Sequence, residues 1–422
     1  MNLLDNWSER GSDLSEFEAV VKELDASTHA RKMKLDDLKL LSVFDADKDY
    51  VLFHTYDREQ WQSKCAPKVS RLGLTAPSAF TSNMDLVNEL INRSKLLINY
   101  GRNSYLTSSH LSRDLGDCAR LGGDSLYNPT EERDRYLMSC FCVNGAAVRS
   151  KSMTKYLASK QDCVTVYRTK DGLAKIFSMA GGAYAYLPQS SLVDVIKYFE
   201  GELGEVDCRQ WYVDHFFTQI WVEFPKKAED IAATYKLPDI IVPGLLFETS
   251  DTRDCSYTCT ATYRIGTRKC YIAGDSYSRK HIGTVNVEQI ADSIKKKVYA
   301  TYTRLPERLC ALMTVDIDNP RETVCGILEK AGLKANSPRG VGKIYGKKIL
   351  DDLCGFINPA ETYTGYDIAM QILSLPEMIS SDENKQYLVE TLRVLCGNAI
   401  FLDFKEFDKA EPVGGGITLL PV

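Results

Sequence analysis

Apolar and polar residues alternate along the segment "CSYTCTATYRI", which runs from Cys255 to Ile265. One set of alternate positions is Cys255, Tyr257, Cys259, Ala261, Tyr263 and Ile265, and the other is Ser256, Thr258, Thr260, Thr262 and Arg264. A period of two residues is typical of a β-strand with one buried face. Gly266 and Thr267 can form a tight turn, so "RKCYIAG" is predicted to be the antiparallel partner strand.

Three other segments predict strands. "CVTVYRTKDGLAKIFSMAGG" contains Asp171 and Gly172 between two apolar runs, a combination that predicts a β-hairpin. "WYVDHFFTQIWVEF" alternates and is rich in aromatic and β-branched residues, which favour strands. "DKDYVLFHTY" predicts a further short strand.

Helical spacing of apolar residues predicts helices on both sides of these strands. "SDLSEFEAVVKEL", with Ser12 or Ser15 as N-cap, and "NMDLVNELINRSKLLI" precede the strands, and "VNVEQIADSIKKKVYATYTRL" follows them. In "TVDIDNPRETVCGILEKAGL" a strand end leads into a helix, with Asn319 as N-cap and Pro320 at the first helical position. "YTGYDIAMQILSL" and "NKQYLVETLRVLCGN" predict two late helices.

These elements predict an α+β fold in which helices flank a central antiparallel sheet. We expect a mainly helical N-terminal region over residues 1–100 and a mixed connecting region over 101–160. An α+β core with hairpins and a basic block is expected over 161–350, and a helical C-terminal region with a loose tail over 351–422.

Composition narrows the class of protein. A chain with 44% hydrophobic and 26% charged residues is typical of a soluble globular protein. No apolar run approaches the ~18 to 20 residues of a membrane span, and the acidic start lacks the pattern of a signal peptide. The 13 cysteines are scattered and include no CxxC pair, which indicates reduced and mostly buried thiols. We therefore expect a cytoplasmic protein with no membrane partner.

Charge is distributed unevenly along the chain. The net charge is −5, yet residues 261–350 contain 17 Lys and Arg against 8 Asp and Glu. This block predicts a surface that faces a polyanion. The alternative is that its cations lie on several faces and are only solvated.

The cationic residues are the candidate nucleic-acid contacts. They are Arg264, Arg268, Lys269, Arg279, Lys280, His281, Lys295, Lys296, Lys297, Arg339, Lys343, Lys347 and Lys348. The nearby tyrosines could stack on bases, as in single-strand binders. They are Tyr271, Tyr277, Tyr299 and Tyr302. The alternative is that these tyrosines pack in the core.

"NSPRGVGKIYGKK" departs from a phosphate-binding P-loop. Ser337 stands where the first glycine is needed, and Ile344 where Ser or Thr should follow the lysine. Two interpretations remain open: a merely solvated loop, or a flexible basic loop that contacts a phosphate backbone through Arg339, Lys343, Lys347 and Lys348.

Two sets of residues could bind a metal ion, but each also has a structural explanation. Cys255, Cys259, Cys270 and His281 are residues that suit zinc, but the alternation places the first two on the apolar face, so we favour core thiols. Asp316 and Asp318 could hold Mg²⁺ in a phosphoryl-transfer enzyme, whereas helix capping explains Asp318 more simply.

The polar segment "TSDTRD" and three of the histidines are also explained by structural roles. "TSDTRD" is interpreted as a turn at a strand entrance. His54 and His215 fall inside predicted strands and are expected in the core, while His281 is expected near the surface with the cations. The residues therefore predict no catalytic group, no metal and no cofactor.

The segment "IIVPGLLFETSDTRDCSYTCTATYRIGTRKCYIAGDSYSRKHIG" resembles a phage- and plasmid-borne family, domain of unknown function 932. The matching positions are Gly244, Leu245, Ser250, Ser256, Lys280, His281 and Gly283, and the resemblance spans roughly residues 160 to 400. Arg253 stands where the family has Gly, and Lys280 where it has Arg. The resemblance implies a mobile-element protein of a bacterial cytoplasm and carries over no activity.

Together these features predict a non-enzymatic nucleic-acid-binding protein of a phage or plasmid, with single-stranded DNA favoured and self-association into a homo-oligomer. A structural, assembly or host-inhibitor protein with a host or phage protein partner is the first alternative. A metal-dependent phosphoryl-transfer enzyme is the second.

Overall fold

The computed structural model of the protein describes residues 1–34, 38–42, 84–89, 96–111, 114, 162–282, 286–298, 302–334, 340–358, 361–379 and 386–409. These residues form two six-stranded sheets, one two-stranded sheet and a set of helices. The predicted α+β class is confirmed. The strands divide between two large sheets, where one central sheet was expected.

The first sheet, which we call sheet A, is antiparallel throughout and has the order β1-β8-β9-β10-β11-β12. Its strands are β1 (Ser8–Gly11), β8 (Asp207–Asp214), β9 (Thr218–Glu223), β10 (Ile241–Thr249), β11 (Tyr257–Ile265) and β12 (Arg268–Arg279). Strand β12 is an edge of this sheet.

The second large sheet, sheet B, has the order β2-β6-β7-β5-β4-β3, and only its β5–β7 pair is parallel. Its strands are β2 (Thr28–Lys34), β3 (Leu38–Ser42), β4 (Leu96–Tyr100), β5 (Asn103–Thr107), β6 (Asp162–Lys170) and β7 (Leu173–Gly181). The small sheet pairs β13 (Asp316–Ile317) with β14 (Tyr363–Thr364).

The helices mostly cover one face of sheet A. They are α1 (Leu14–Ser27), α2 (Met84–Glu89), α3 (Ser191–Leu203), α4 (Pro225–Tyr235), α5 (Val287–Val298), α6 (Arg304–Leu312), α7 (Pro320–Ala331), α8 (Gly340–Phe356), α9 (Gly365–Ile379), α10 (Gln386–Ala399) and α11 (Phe404–Phe407). Among the described residues, no helix has both the length and the apolar character needed to cross a membrane.

The described part of residues 1–100 is not dominated by helix. It supplies α1 and α2 but also strands to both large sheets. Asp13 is the N-cap of α1 and accepts from the backbone N–H groups of Ser15 and Glu16, so neither Ser12 nor Ser15 is the cap. The strand predicted for "DKDYVLFHTY", which contains His54, lies outside the described residues.

The alternation along β11 decides which face is buried. Tyr257, Cys259, Ala261, Tyr263 and Ile265 are all buried in one hydrophobic core with residues of the covering helices. Burying apolar surface stabilises the fold by about 25 cal/mol per Å². This register is therefore strongly preferred, because a slip of one residue would expose the whole set.

The two predicted hairpins are present. Asp171 and Gly172 both have positive φ, as a two-residue turn between β6 and β7 requires. Gly266 also has positive φ and joins β11 to β12.

"WYVDHFFTQIWVEF" is two strands joined by a turn. The Asp214 carboxylate accepts hydrogen bonds of 2.6 Å from the backbone N–H groups of Phe216 and Phe217, which ends β8 and reverses the chain. His215 therefore lies in this turn, outside any strand, although its predicted burial is correct.

Two predictions at the C-terminal end had different outcomes. Helix α7 begins after Asn319 and ends at Gly332, which has a φ of 115°, as expected from the sequence. The basic loop predicted around Gly342 is instead helix α8 from Gly340 onward. Leu350 and Leu353 of that helix are buried, and such tertiary packing outweighs the low helix propensity of glycine.

Gly244 of β10 is expected to be essential for the close approach of the neighbouring strands. A β-carbon there would clash with the carbonyl oxygen of Val222 and lie 2.8 Å from Thr262 Oγ1. We expect Gly244→Ala to lower the free energy of unfolding by about 1–3 kcal/mol in urea denaturation. Gly355→Ala is the control, because the exposed helical position has open space; it should raise the same quantity by roughly 0.5–1 kcal/mol. Equal effects at the two glycines would contradict this account.

Candidate functional site

Several predicted nucleic-acid contacts are already engaged within the protein. Arg264 Nε and Nη2 donate to the carboxylate of Glu223 at 2.8–3.0 Å, and that carboxylate is buried. Lys269 is buried, with its Nζ 3.7 Å from the centroid of the Trp221 ring, and burial lowers its pKa to about 8. Arg264 is half-buried and paired, and Lys269 is buried, so neither charge is fully available to a phosphate backbone.

His281 is also buried, contrary to the prediction. Its ring stacks on Tyr184 with a centroid distance of 5.6 Å, and its Nε2 lies 3.5 Å from Thr249 Oγ1. Burial lowers its pKa, so His281 is neutral at pH 7 and adds no positive charge. A tight turn returns the chain at this point, with the N–H of Ile282 donating to the carbonyl oxygen of Lys280.

Four of the predicted contacts lie on β12, just after it, or on the helix end that contacts it. Arg279 is the last residue of β12 and Lys280 follows it, while Lys296 and Lys297 lie in the last turn of α5. Lys297 Nζ donates to the carbonyl oxygen of Ser276 at 3.2 Å, so the last turn of α5 contacts β12 three residues before the strand ends. Lys280, Lys296 and Lys297 are exposed and Arg279 is half-buried. We call these four residues the strand-end basic surface.

The remaining predicted contacts lie elsewhere. Lys295 is on α5 but pairs with Glu202 at 2.7 Å. Arg268 begins β12, at the opposite end of the strand from the strand-end basic surface, and Lys347 is exposed on α8. Arg339 and the side chains of Lys343 and Lys348 lie outside the described residues.

The tyrosines predicted to stack on bases belong partly to the core. Tyr277 and Tyr302 are both buried in the hydrophobic cluster beneath sheet A. Tyr299 and the side chain of Tyr271 lie outside the described residues. Tyr277 and Tyr302 therefore do not support base stacking.

The cysteines of the zinc hypothesis are core residues. Cys259 and Cys270 are buried, and burial raises the pKa of both thiols, which keeps them protonated. Within the described residues, no three His, Cys, Asp or Glu side chains converge in a group that could hold a metal ion. All cysteines in that part of the chain are free thiols.

Asp316 and Asp318 are both exposed, and among the residues that the structure describes they belong to no group of side chains that could hold a metal ion. Asp318 has 81% of its side chain exposed and lies 3.7 Å from Lys405 Nζ. Asn319 is the N-cap of α7, as predicted, although its side chain makes no capping hydrogen bond. The backbone N–H groups of Asp318 and Asn319, just before the helix, donate to the Asp408 carboxylate at 2.7–3.2 Å. The Asp318 side chain is therefore not the cap.

Asp408 gives a pH-dependent prediction. Burial opposes ionisation, but hydrogen bonds from Lys405 and from the backbone N–H groups of Asp318 and Asn319 lower its pKa from 3.8 to about 2. A pKa lowered by folding contributes stability above pH 3.8, and this contribution is lost as the pH falls through 2. We expect Asp408→Asn to lower the free energy of unfolding by about 1–2 kcal/mol at pH 7, with the difference shrinking in acid.

The matched control is Asp318→Asn, because Asp318 is exposed and next to the same helix end. Its effect should stay within about 0.5 kcal/mol at every pH. A larger loss for Asp318 than for Asp408 in urea denaturation would contradict the role assigned to the Asp408 carboxylate.

"TSDTRD" is a turn, as predicted, but its first four residues are buried, while Arg253 and Asp254 are exposed. Ser250 Oγ accepts from the backbone N–H groups of Thr252 and Asp254, which closes the turn. Arg253 has a φ of 78° and donates to the carbonyl oxygen of Met179 in sheet B at 2.8 Å. The turn therefore follows β10 of sheet A and contacts β7 of sheet B.

A buried ion pair fixes this contact. Arg168 Nη2, on β6 of sheet B, donates to both carboxylate oxygens of Asp251 at 2.8 and 2.9 Å. The same guanidinium donates to Thr28 Oγ1 and to the carbonyl oxygen of His215. Both side chains of the pair are almost inaccessible to solvent. Sequence inspection missed this pair because its members are 83 residues apart.

A second buried cation lies beside the first. Lys175 Nζ, on β7, lies 2.8 Å from both the carbonyl oxygen of Leu3 and the Asp5 carboxylate, and it also pairs with Glu89. His215 contacts the same region through Nε2, which donates to the carbonyl oxygen of Asn2. Burial, with Arg168 and Lys175 nearby, holds the pKa of His215 well below its ordinary value. These charges connect the first residues of the chain to sheet B.

Breaking the Arg168–Asp251 pair should be costly. We expect Asp251→Asn to lower the free energy of unfolding by about 3–5 kcal/mol, because it leaves a buried guanidinium without its counter-charge. The double variant Arg168→Met/Asp251→Leu should lose less than the sum of the two single variants. Lys197→Met is the control: it breaks the exposed pair with Glu18 and should change the value by at most about 1 kcal/mol. Additive losses would contradict a coupled pair.

No protein-family model matches the chain, and neither a curated protein nor a solved structure matches it. The resemblance to domain of unknown function 932 therefore stays a prediction. The function must be argued from the geometry above.

Proposed function

We propose that the protein is a non-enzymatic nucleic-acid-binding protein that contacts the phosphate backbone through the strand-end basic surface. The observation that carries the proposal is the contact between Lys297 and Ser276, which places the cationic last turn of α5 beside β12, three residues before that strand ends at Arg279. The excess of positive charge in residues 261–350 supports it.

The spacing of this surface suits several phosphates. Ser276 and Lys280 are four residues apart, which corresponds to roughly 13 Å along an extended strand. One strand of duplex DNA carries a phosphate about every 3.4 Å of axis, so this length covers about four phosphates. Lys297 donates one hydrogen bond to Ser276, and a lysine ammonium has further donors available for phosphate.

Contacts to the phosphate backbone depend on charge and do not distinguish one base sequence from another. Lysine contacts to phosphate release condensed counterions, so affinity falls steeply as salt rises. Because Tyr277 and Tyr302 are buried, they cannot supply the stacking that favours single strands. The preference for single-stranded DNA expected from the sequence therefore rests on Tyr271 and Tyr299.

The wider role follows the resemblance described above. As a phage or plasmid product, the protein would act in the bacterial cytoplasm and self-associate along the nucleic acid. Both points rest on the resemblance and on the general cooperativity of such binders.

The proposal is tested by fluorescence-anisotropy titration with single-stranded DNA, duplex DNA and RNA at about 50 and 200 mM salt. The variant Lys280→Gln/Lys296→Gln/Lys297→Gln should bind all three more weakly. The slope of log affinity against log salt should fall by about 1 for each lysine removed.

The matched control changes three exposed lysines elsewhere: Lys22 on α1, Lys226 on α4 and Lys334 after α7. Lys22→Gln/Lys226→Gln/Lys334→Gln removes the same charge and should leave the salt slope near that of the unchanged protein. Equal losses in the two triple variants would show a net-charge effect, and an absence of binding at about 50 mM salt would overturn the proposal.

A protein-interaction role is the second candidate. Ile282 follows the strand-end basic surface with 56% of its surface exposed, and such an apolar residue beside cations suits a protein partner. The internal pairing of Arg264 and Lys295 also favours this candidate, because it reduces the charge offered to a polyanion. Two results together would favour this candidate over the first proposal. The protein would fail to bind nucleic acid, and Ile282→Asp would abolish self-association in gel filtration.

A further inference from the structure

Two thiols face each other between helices α7 and α8. Cys325 of α7 and Cys354 of α8 have their Sγ atoms 3.5 Å apart, which is hydrogen-bonding distance for sulfur. Cys325 is half-buried and Cys354 is buried. The two residues are 29 positions apart in the chain, so the contact depends on how the helices pack. The strand-end basic surface does not involve either residue.

The separation of the sulfur atoms is short enough for a covalent bond. A disulfide has an S–S length of about 2.05 Å, so closure needs an approach of about 1.5 Å from the observed separation. Cys325 is partly accessible to solvent, so a small oxidant can reach the pair.

Charged groups around the pair set its reactivity. The hydrogen bond from Cys325 lowers the pKa of Cys354, and burial opposes this. The Arg321 guanidinium lowers the pKa further, while the Asp351 and Glu322 carboxylates raise it. Arg321 is held there by hydrogen bonds of 2.9 and 3.1 Å to the carbonyl oxygen of Ile357. A cation next to a thiol favours the thiolate, which is the form that attacks disulfides.

We propose that Cys325 and Cys354 form a reversible intramolecular disulfide by exchange with a low-molecular-weight disulfide such as glutathione disulfide. One thiolate of the pair attacks a sulfur of the oxidant, forming a mixed disulfide and releasing one glutathione thiolate. The other cysteine then attacks the protein sulfur of the mixed disulfide and releases the second glutathione. The two protein protons end on the two released thiols, so the pair is oxidised and the glutathione disulfide is reduced.

This bond would join α7 to α8, the helix that carries Lys347. It would close the chain segment between them into a covalent loop, which restricts the unfolded state. Oxidised protein should therefore show a higher melting temperature than reduced protein, and an excess of reduced glutathione should reverse the shift.

The test is peptide mapping of the folded full-length protein. The protein is incubated with glutathione disulfide, quenched with an alkylating agent, digested and analysed by mass spectrometry without reduction. We expect a peptide that joins Cys325 to Cys354 and the loss of both alkylated forms. Dithiothreitol should restore both forms.

Two variants make the result specific. Cys325→Ser should abolish the linked peptide, leaving Cys354 as a free thiol or a mixed disulfide. Cys310→Ser, at a half-buried cysteine of α6, should leave the linked peptide unchanged. The proposal is overturned if Cys325 and Cys354 of the unchanged protein stay fully alkylated, carry only glutathione, or are linked to other cysteines. This readout is independent of nucleic-acid binding.

Discussion

The ion pair between Arg168 and Asp251 is the interaction on which the arrangement of the two sheets depends. It joins β6 of sheet B to the turn that follows β10 of sheet A, and both side chains are buried. A buried pair of this kind adds little net stability compared with apolar packing, because both charges lose their hydration. Its contribution is to geometry, since any other placement of the turn would leave two unpaired charges in the interior.

The strand-end basic surface follows from this constraint. The turn fixed by Asp251 leads into β11, which pairs along its length with β12, and β12 ends at Arg279 and Lys280. On the same side, Tyr184 donates to the carbonyl oxygen of Asp251 and stacks on His281, which holds the chain just after Lys280. The position of the exposed cations is therefore set by buried polar contacts at the sheet junction.

Sequence patterns were most reliable where one local rule decides the outcome. The period of two along β11, the hairpin turn at Asp171 and Gly172, and the Pro320 start of α7 were all predicted correctly. Each depends on residues that are close in the chain. The alternation predicts a buried face whatever lies opposite it, because burial of the apolar set outweighs other preferences.

The errors arose where distant residues decide the outcome. The charge of Arg264 is paired by Glu223, 41 positions away, and nothing near Arg264 in the sequence signals that contact. His281 is buried because Tyr184 and Thr249 surround it, although its sequence neighbours are cations. A count of positive charges therefore overestimates the charge that reaches solvent, and the candidate surface is smaller than the basic block.

The most direct test of the account is lysine footprinting by acetylation, with and without a bound oligonucleotide, read by mass spectrometry. The account predicts that nucleic acid slows acetylation at Lys280, Lys296 and Lys297, while exposed lysines on α1 and α4 react at unchanged rates. Protection that falls mainly on other lysines, or on none, would contradict the claim that the ends of β12 and α5 form the binding surface.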